Sequence, residues 1–200
     1  MIAVLTGDIM NSRGEEIAKW LQPLKAVLSY YGEEPNDWEI FRGDSFQLKI
    51  APEKALLAAL HIKSVVKQMK TQDVRIAIGI GEEKYSSLKI SESNGSAYIR
   101  SGACFESLKK QTLAVKSTSE ELDTSLNTML SLSLLIANNW SSTVAGVIKI
   151  AIENADKNQK NLAEILQKSQ SSVSEALKRG GFEEMMNMSD FYKSEISKLC

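Results

Sequence analysis

One histidine, His61, is all the imidazole the chain contains. It has no companion at metal-ligand or catalytic-triad spacing, which argues against both chemistries and leaves His61 as a structural residue. The two cysteines, Cys104 and Cys200, show no spacing that suggests a disulfide scaffold or a zinc site, so they read as reduced thiols. Neither sign of charge dominates: 24 Lys and Arg face 25 Asp and Glu, for a net charge of -1. The molecule as a whole is therefore no electrostatic adhesive for nucleic acid, and any such contact must come from a local patch. Long apolar runs are missing too. Met1 to Asp8 has no basic flank and is too short for a signal peptide, and Leu130 to Ala137 is broken by serines and far short of a membrane span. A cytoplasmic protein without membrane contact is expected. Hydrophobic content of 43% and charged content of 24% over 200 residues are ordinary for one large soluble domain or two small ones.

What is present centres on the stretch Asn161 to Arg179. Leu162, Ala163, Ile165 and Leu166 give a first helix its apolar stripe. Lys168-Ser169 interrupts it, and Ser169 suits the N-cap of a second helix starting at Gln170. Val173, Ala176 and Leu177 keep an inward face at three-and-four spacing. Gln170, Ser171, Ser172, Ser174, Lys178 and Arg179 remain outside. Small polar residues at the start of such a helix can approach base edges, and the two cations at its end can reach phosphate. The run resembles the helix-turn-helix of bacterial transcription regulators; a plain helical hairpin is the alternative.

The N-terminal half alternates strands and helices. Ile2 to Leu5 reads as a buried strand with Asp8 where it ends. Glu15 to Tyr31 reads as a helix that Pro23 kinks or breaks near Gln22, ended by Gly32. Trp38 to Ile50 reads as a hairpin with a two-residue Gly43-Asp44 turn. A one-faced helix from Pro52 to about Lys70 follows, then a strand from Val74 to Gly81, a short strand around Leu88 to Ile90, a helix from Gly95 to Lys110 and a strand from Thr112 to Lys116. This is a βαββαβ core with an extension, expected as an antiparallel sheet with helices on one face.

Asp8-Ile9, Arg42-Gly43-Asp44-Ser45-Phe46 and Val74-Arg75-Ile76-Ala77-Ile78-Gly79 resemble motifs of the class III nucleotidyl cyclase domain, and the arrangement is similar to the palm of GGDEF-type cyclases. The resemblance covers about residues 1–118 and implies a ferredoxin-like fold. It also implies metal binding, Mg²⁺ or Mn²⁺, by Asp8, Asp44 and the main-chain carbonyl of Ile9, with a nucleoside triphosphate on the metals. Cyclases carry an Asn and an Arg four residues apart on the helix after the fourth strand. Here Arg100 is the one nucleotide-binding candidate and the Asn is missing, which argues against turnover. The whole chain resembles the SatD-like family of small bacterial proteins.

After residue 118, Ser119 caps a leucine-rich helix that Asn138-Asn139 breaks. It is apolar on most of its circumference and is expected to be buried on several sides, between domains or against a second copy. A supporting helix opens at Trp140-Ser141-Ser142-Thr143. Gly180-Gly181 stops the motif, and Phe182 to Cys200 reads as a helix in two pieces split near Asn187-Met188. The expected architecture is α+β: a cyclase-like domain (1–118), a connecting helix (119–139) and an all-α helix-turn-helix domain (140–200). Cations after residue 139 are offset by carboxylates, so one protomer making about three phosphate contacts would show a salt slope near -3. A homodimer presenting two helices about 34 Å apart would be needed. Expected roles are, in order, a DNA-binding transcription regulator that senses nucleotide, a metal-dependent enzyme acting on nucleoside triphosphates, and a non-catalytic interaction module.

Overall fold

The computed structural model describes residues 1–12 and 17–199, so the expected helix start at Glu15 and the thiol of Cys200 lie outside the described residues. Five strands, β1 (Ile2–Met10), β2 (Trp38–Phe41), β3 (Ser45–Ile50), β4 (Asp73–Gly81) and β5 (Leu113–Lys116), form one sheet in the order β2-β3-β1-β4-β5. β1 is antiparallel to both β3 and β4, while β5 is parallel to β4. The first strand does not stop at Thr-Gly-Asp: it runs on to Met10, so Asp8 sits within it. Gly7 is there for a close approach and not for a turn. A Cβ at that position would lie 2.5 Å from the Phe46 ring and 2.8 Å from the Arg75 carbonyl oxygen.

Helices cover both faces, contrary to the one-faced antiparallel expectation. α1 (Ile17–Ser29) and α2 (Ala55–Val66) cover the face that carries Leu5, Ile9, Phe46, Leu48, Ile76 and Ile78. α3 (Ser96–Ser107) lies on the opposite face, where Ala77, Cys104, Leu108 and Ala114 make a small separate cluster. The reason is topological: a parallel β4–β5 pair requires a crossover, and α3 is that crossover. α1 runs unbroken through Pro23. α2 ends at Val66, short of Lys70, and is buried all round because the sheet, α1 and later helices enclose it. The β2–β3 turn holds three residues, since Phe41 pairs with Ser45, and Arg42 and Gly43 both take positive φ. The expected strand near Leu88 is absent; Ile90–Glu92 is one turn of 3-10 helix beside an isolated Tyr85–Asn94 bridge.

Five helices follow: α4 (Glu120–Ala137), α5 (Ser142–Glu153), α6 (Gln159–Leu166), α7 (Gln170–Arg179) and α8 (Phe182–Ile196). Ser119, Ser141, Asn158 and Ser169 cap α4 to α7 through side-chain oxygens. α4 closes the free edge of β5. Asn127 acts there as a surrogate strand: Oδ1 accepts the Val115 N–H at 2.9 Å and Nδ2 donates to the Val115 carbonyl at 2.8 Å. α8 is one helix, not two, because Met185, Met188, Tyr192 and Ile196 bury a continuous stripe. It returns to the sheet layer, where Tyr192 donates its hydroxyl to the Pro52 carbonyl at 2.9 Å. One apolar cluster consequently extends from Ala3 to Ile196, across both expected boundaries. α4 departs from its expectation: it buries Leu126, Leu130, Leu134 and Ala137 and leaves a second apolar stripe outside.

Candidate functional site

The α5–α7 unit is built from local signals that reinforce one another. α6 ends where Gln167 enters the left-handed region (φ 51°, ψ 43°), and the Lys168 N–H turns back to the Ala163 carbonyl at 3.0 Å. Ser169 Oγ then accepts the Ser172 N–H at 3.2 Å and starts α7. Val173, Ala176 and Leu177 are buried, while Gln170, Ser171, Ser172, Ser174, Lys178 and Arg179 are all exposed. The outer face holds Glu175 as well, 3.8 Å from Arg179 in a solvent-exposed pair too weak to immobilise the guanidinium. Behind α7, the Trp140 indole N–H donates to the Gly180 carbonyl at 3.0 Å. A Cβ on Gly180 would sit 2.6 Å from the tip of the Ile148 side chain, so α7 ends in close contact with α5. Two features escaped the sequence reading. Gln167 is not a residue that advertises positive φ, and the Trp140 anchor spans 40 positions.

Asp8, Ile9 and Asp44 do come together. They line one open depression of about 630 Å³ with Ser12, Arg75 and Lys109. The Ile9 N–H donates to the Asp44 carbonyl at 3.1 Å, which pins the β2–β3 turn to β1. Both carboxylates are already engaged. Arg75 donates Nε to Asp8 Oδ1 at 3.0 Å and Nη2 to Oδ2 at 2.5 Å, a bidentate clamp. The Arg75 guanidinium also stacks 5.2 Å above the Phe105 ring of α3, and its hydrogen bonds to Asp8 push its pKa up. Asp44 Oδ2 accepts the Ser12 hydroxyl at 2.6 Å. Among the described residues no three His, Cys, Asp or Glu side chains group as a metal cage. As built, the depression does not fit a divalent ion: the cation beside Asp8 is Arg75. The register that sets Asp8 opposite Arg75 across β1 and β4 was not readable from either motif alone.

Arg100 is not part of this depression. Its Nη1 donates to the Ile80 carbonyl at 2.8 Å and to Ser96 Oγ at 3.3 Å, beside Gly81. Gly81 pairs with Ile2, six positions along β1 from Asp8, or ~20 Å. The neighbouring cavity of about 590 Å³ holds Lys109, Lys110, Lys116 and Cys104. Burial pushes the Cys104 thiol up to about 11, so it is no thiolate nucleophile at neutral pH.

His61 is structural in detail. Tyr31 Oη lies 3.0 Å from Nδ1 and Glu153 Oε1 lies 3.3 Å from Nε2; a neutral ring protonated at Nε2 donates to the carboxylate and accepts from the phenol, and so satisfies both. Burial pushes the His61 pKa down, opposed by Glu153, which Lys149 also holds at 2.8 Å. The pair joins α2 to α5 and so ties the sheet layer to the helix that backs α7. No helix among the described residues is long and apolar enough to cross a membrane. A comparison with curated proteins finds no match. The model of the SatD family matches residues 1–188, and the chain belongs to that family.

Proposed function

We propose that this protein is a DNA-binding regulator in which α5 to α7 form a helix-turn-helix unit and α7 enters the major groove. The observation that carries the reading is α7 itself: its apolar stripe is fully buried, and Gln170, Ser171, Ser172, Ser174, Lys178 and Arg179 face solvent. Support comes from the three-residue turn and from the tryptophan anchor behind the helix. Lys178 and Arg179 supply phosphate contacts. Replacing both by Ala is expected to weaken DNA binding at all sequences and to make the salt slope shallower by about 2. Fluorescence anisotropy over a salt series measures it, and an unchanged slope would remove α7 as the contact element.

A ferredoxin-like, cyclase-like reading of residues 1–118 is supported by the β2-β3-β1-β4 order and by the shared opening of Asp8 and Asp44. In that second reading the depression takes a nucleotide, with Mg²⁺ or Mn²⁺, once Arg75 has left Asp8. Wild-type protein should show no Mn²⁺-dependent rise in thermal midpoint. Arg75→Met frees Asp8 beside Asp44 and should gain one, about 1.4 kcal/mol of stabilisation at ten times the dissociation constant. Equal responses in both proteins would show that the Asp8–Arg75 clamp does not control the site. Arg100, the one residue carried over for the triphosphate, stands outside the depression and the Asn that would accompany it is missing, so the reading is of binding.

A further inference from the structure

The DNA-binding reading leaves the outer face of α4 unused. Met129, Leu132, Leu135 and Ile136 are 36%, 62%, 70% and 42% exposed along one side of the helix. Phe191 of α8, 39% exposed, stands beside Leu122 and Ser125 and extends the stripe. The hydroxyls between these residues are already used. Thr124 donates to the Glu120 carbonyl at 2.8 Å, Ser125 to Glu121 at 3.1 Å, Thr128 to Thr124 at 2.8 Å and Ser131 to Thr128 at 2.8 Å. A dry surface laid on this face would strand none of those donors. From Thr124 to Ile148 the chain carries no charged side chain at all.

We propose that this face of α4 is the interface of a symmetric homodimer, packed against the same face of a second copy. A twofold axis sets every residue near its own image, so like charges on the face would repel. From Thr124 to Ala137 the α4 part of the face has none, and Glu121, Glu195 and Lys198 stand at its Phe191 end, on the rim. The small Ser and Thr side chains allow close helix approach, and Leu132 and Leu135 supply the apolar contacts. A lipid surface is the poorer occupant, because the helix opens with Glu120, Glu121 and Asp123 where an anionic membrane would require Lys or Arg. The contact stands independently of DNA binding, although it would supply the two α7 helices that a groove-binding dimer needs.

Sedimentation velocity and light scattering on the full chain, without DNA, should give twice the 22.1 kDa of one protomer at micromolar concentration. Leu132→Glu with Leu135→Glu places carboxylates opposite their images and should raise the dissociation constant at least ~100-fold. Its far-UV circular dichroism should stay that of the wild type, since both side chains are exposed. Leu132→Met with Leu135→Met should restore the dimer. A wild-type protein that stays at one protomer mass overturns the proposal. So does a dimer that survives the two glutamates, or co-flotation of the wild type with phosphatidylglycerol vesicles.

Discussion

Asp73→Ala is expected to lower the unfolding free energy by about 3–5 kcal/mol, because it strands a buried ammonium. Lys63 lies within α2, 1% exposed, and donates to Asp73 Oδ1 at 2.7 Å and to Thr112 Oγ1 at 3.3 Å. Thr112 hands its own proton to Asn138 Oδ1 at 2.8 Å, and Lys67 links Asp73 at 3.5 Å to the Asn138 carbonyl at 2.8 Å. This network joins α2, β4, the start of β5 and the end of α4. Burial pushes the Lys63 pKa down and Asp73 opposes it. Without Asp73 the amine binds its proton less tightly in the folded state than in the unfolded one, so unfolding takes up protons and stability rises with pH. The deficit should therefore be largest at neutral pH and shrink in alkali. Denaturant titrations at two pH values test both statements. Lys63→Met combined with Asp73→Ala should recover most of the loss, since the double variant leaves no buried ammonium to desolvate.

Gly79→Ala should cost about 3 kcal/mol or more, whereas Gly102→Ala should stabilise by about 1 kcal/mol. A Cβ on Gly79 falls inside contact distance of the Ser101 nitrogen and the Ala97 carbonyl oxygen, which are backbone atoms of α3 and cannot rotate away. Around Gly102, within the same helix, a Cβ meets nothing within 4 Å. The first change pushes α3 off the sheet. It should also loosen Phe105 beneath Arg75, and with it the clamp on Asp8. The second only removes backbone freedom from the unfolded chain. Thermal unfolding of both variants decides the matter; a neutral Gly79→Ala would mean that α3 is not held at the distance the sheet requires.

Elements carried by short-range signals were readable. The Ser169 cap with the Val173, Ala176 and Leu177 spacing marked α7 to the residue, Ser119 did the same for the start of α4, and the opening of α5 was placed within Trp140 to Thr143. The strand through Val74 to Gly81 was equally plain. Readings that depended on a distant partner went astray. Pro23 breaks a helix in isolation, yet α1 continues through it, with Trp20, Leu24, Val27 and Leu28 buried in the core. Asn187-Met188 reads as an interruption until α8 lies along α4 and the Pro52 carbonyl. At the candidate sites the same division holds. Exposure of the α7 face followed from periodicity, while Arg75 closing on Asp8 and Arg100 standing at the far end of β1 did not.

From its residue order alone this chain specifies where helices begin, which faces are apolar, and that one short helix near the carboxyl end turns small polar and basic side chains outward. Those are properties of three or four neighbouring residues, whose spacing repeats with the helix turn. Strand register, the crossing of α3 to the second face of the sheet and the fusion of both halves into one core come from contacts between residues tens of positions apart. Such contacts are chosen by how whole surfaces fit, and no local pattern records that fit.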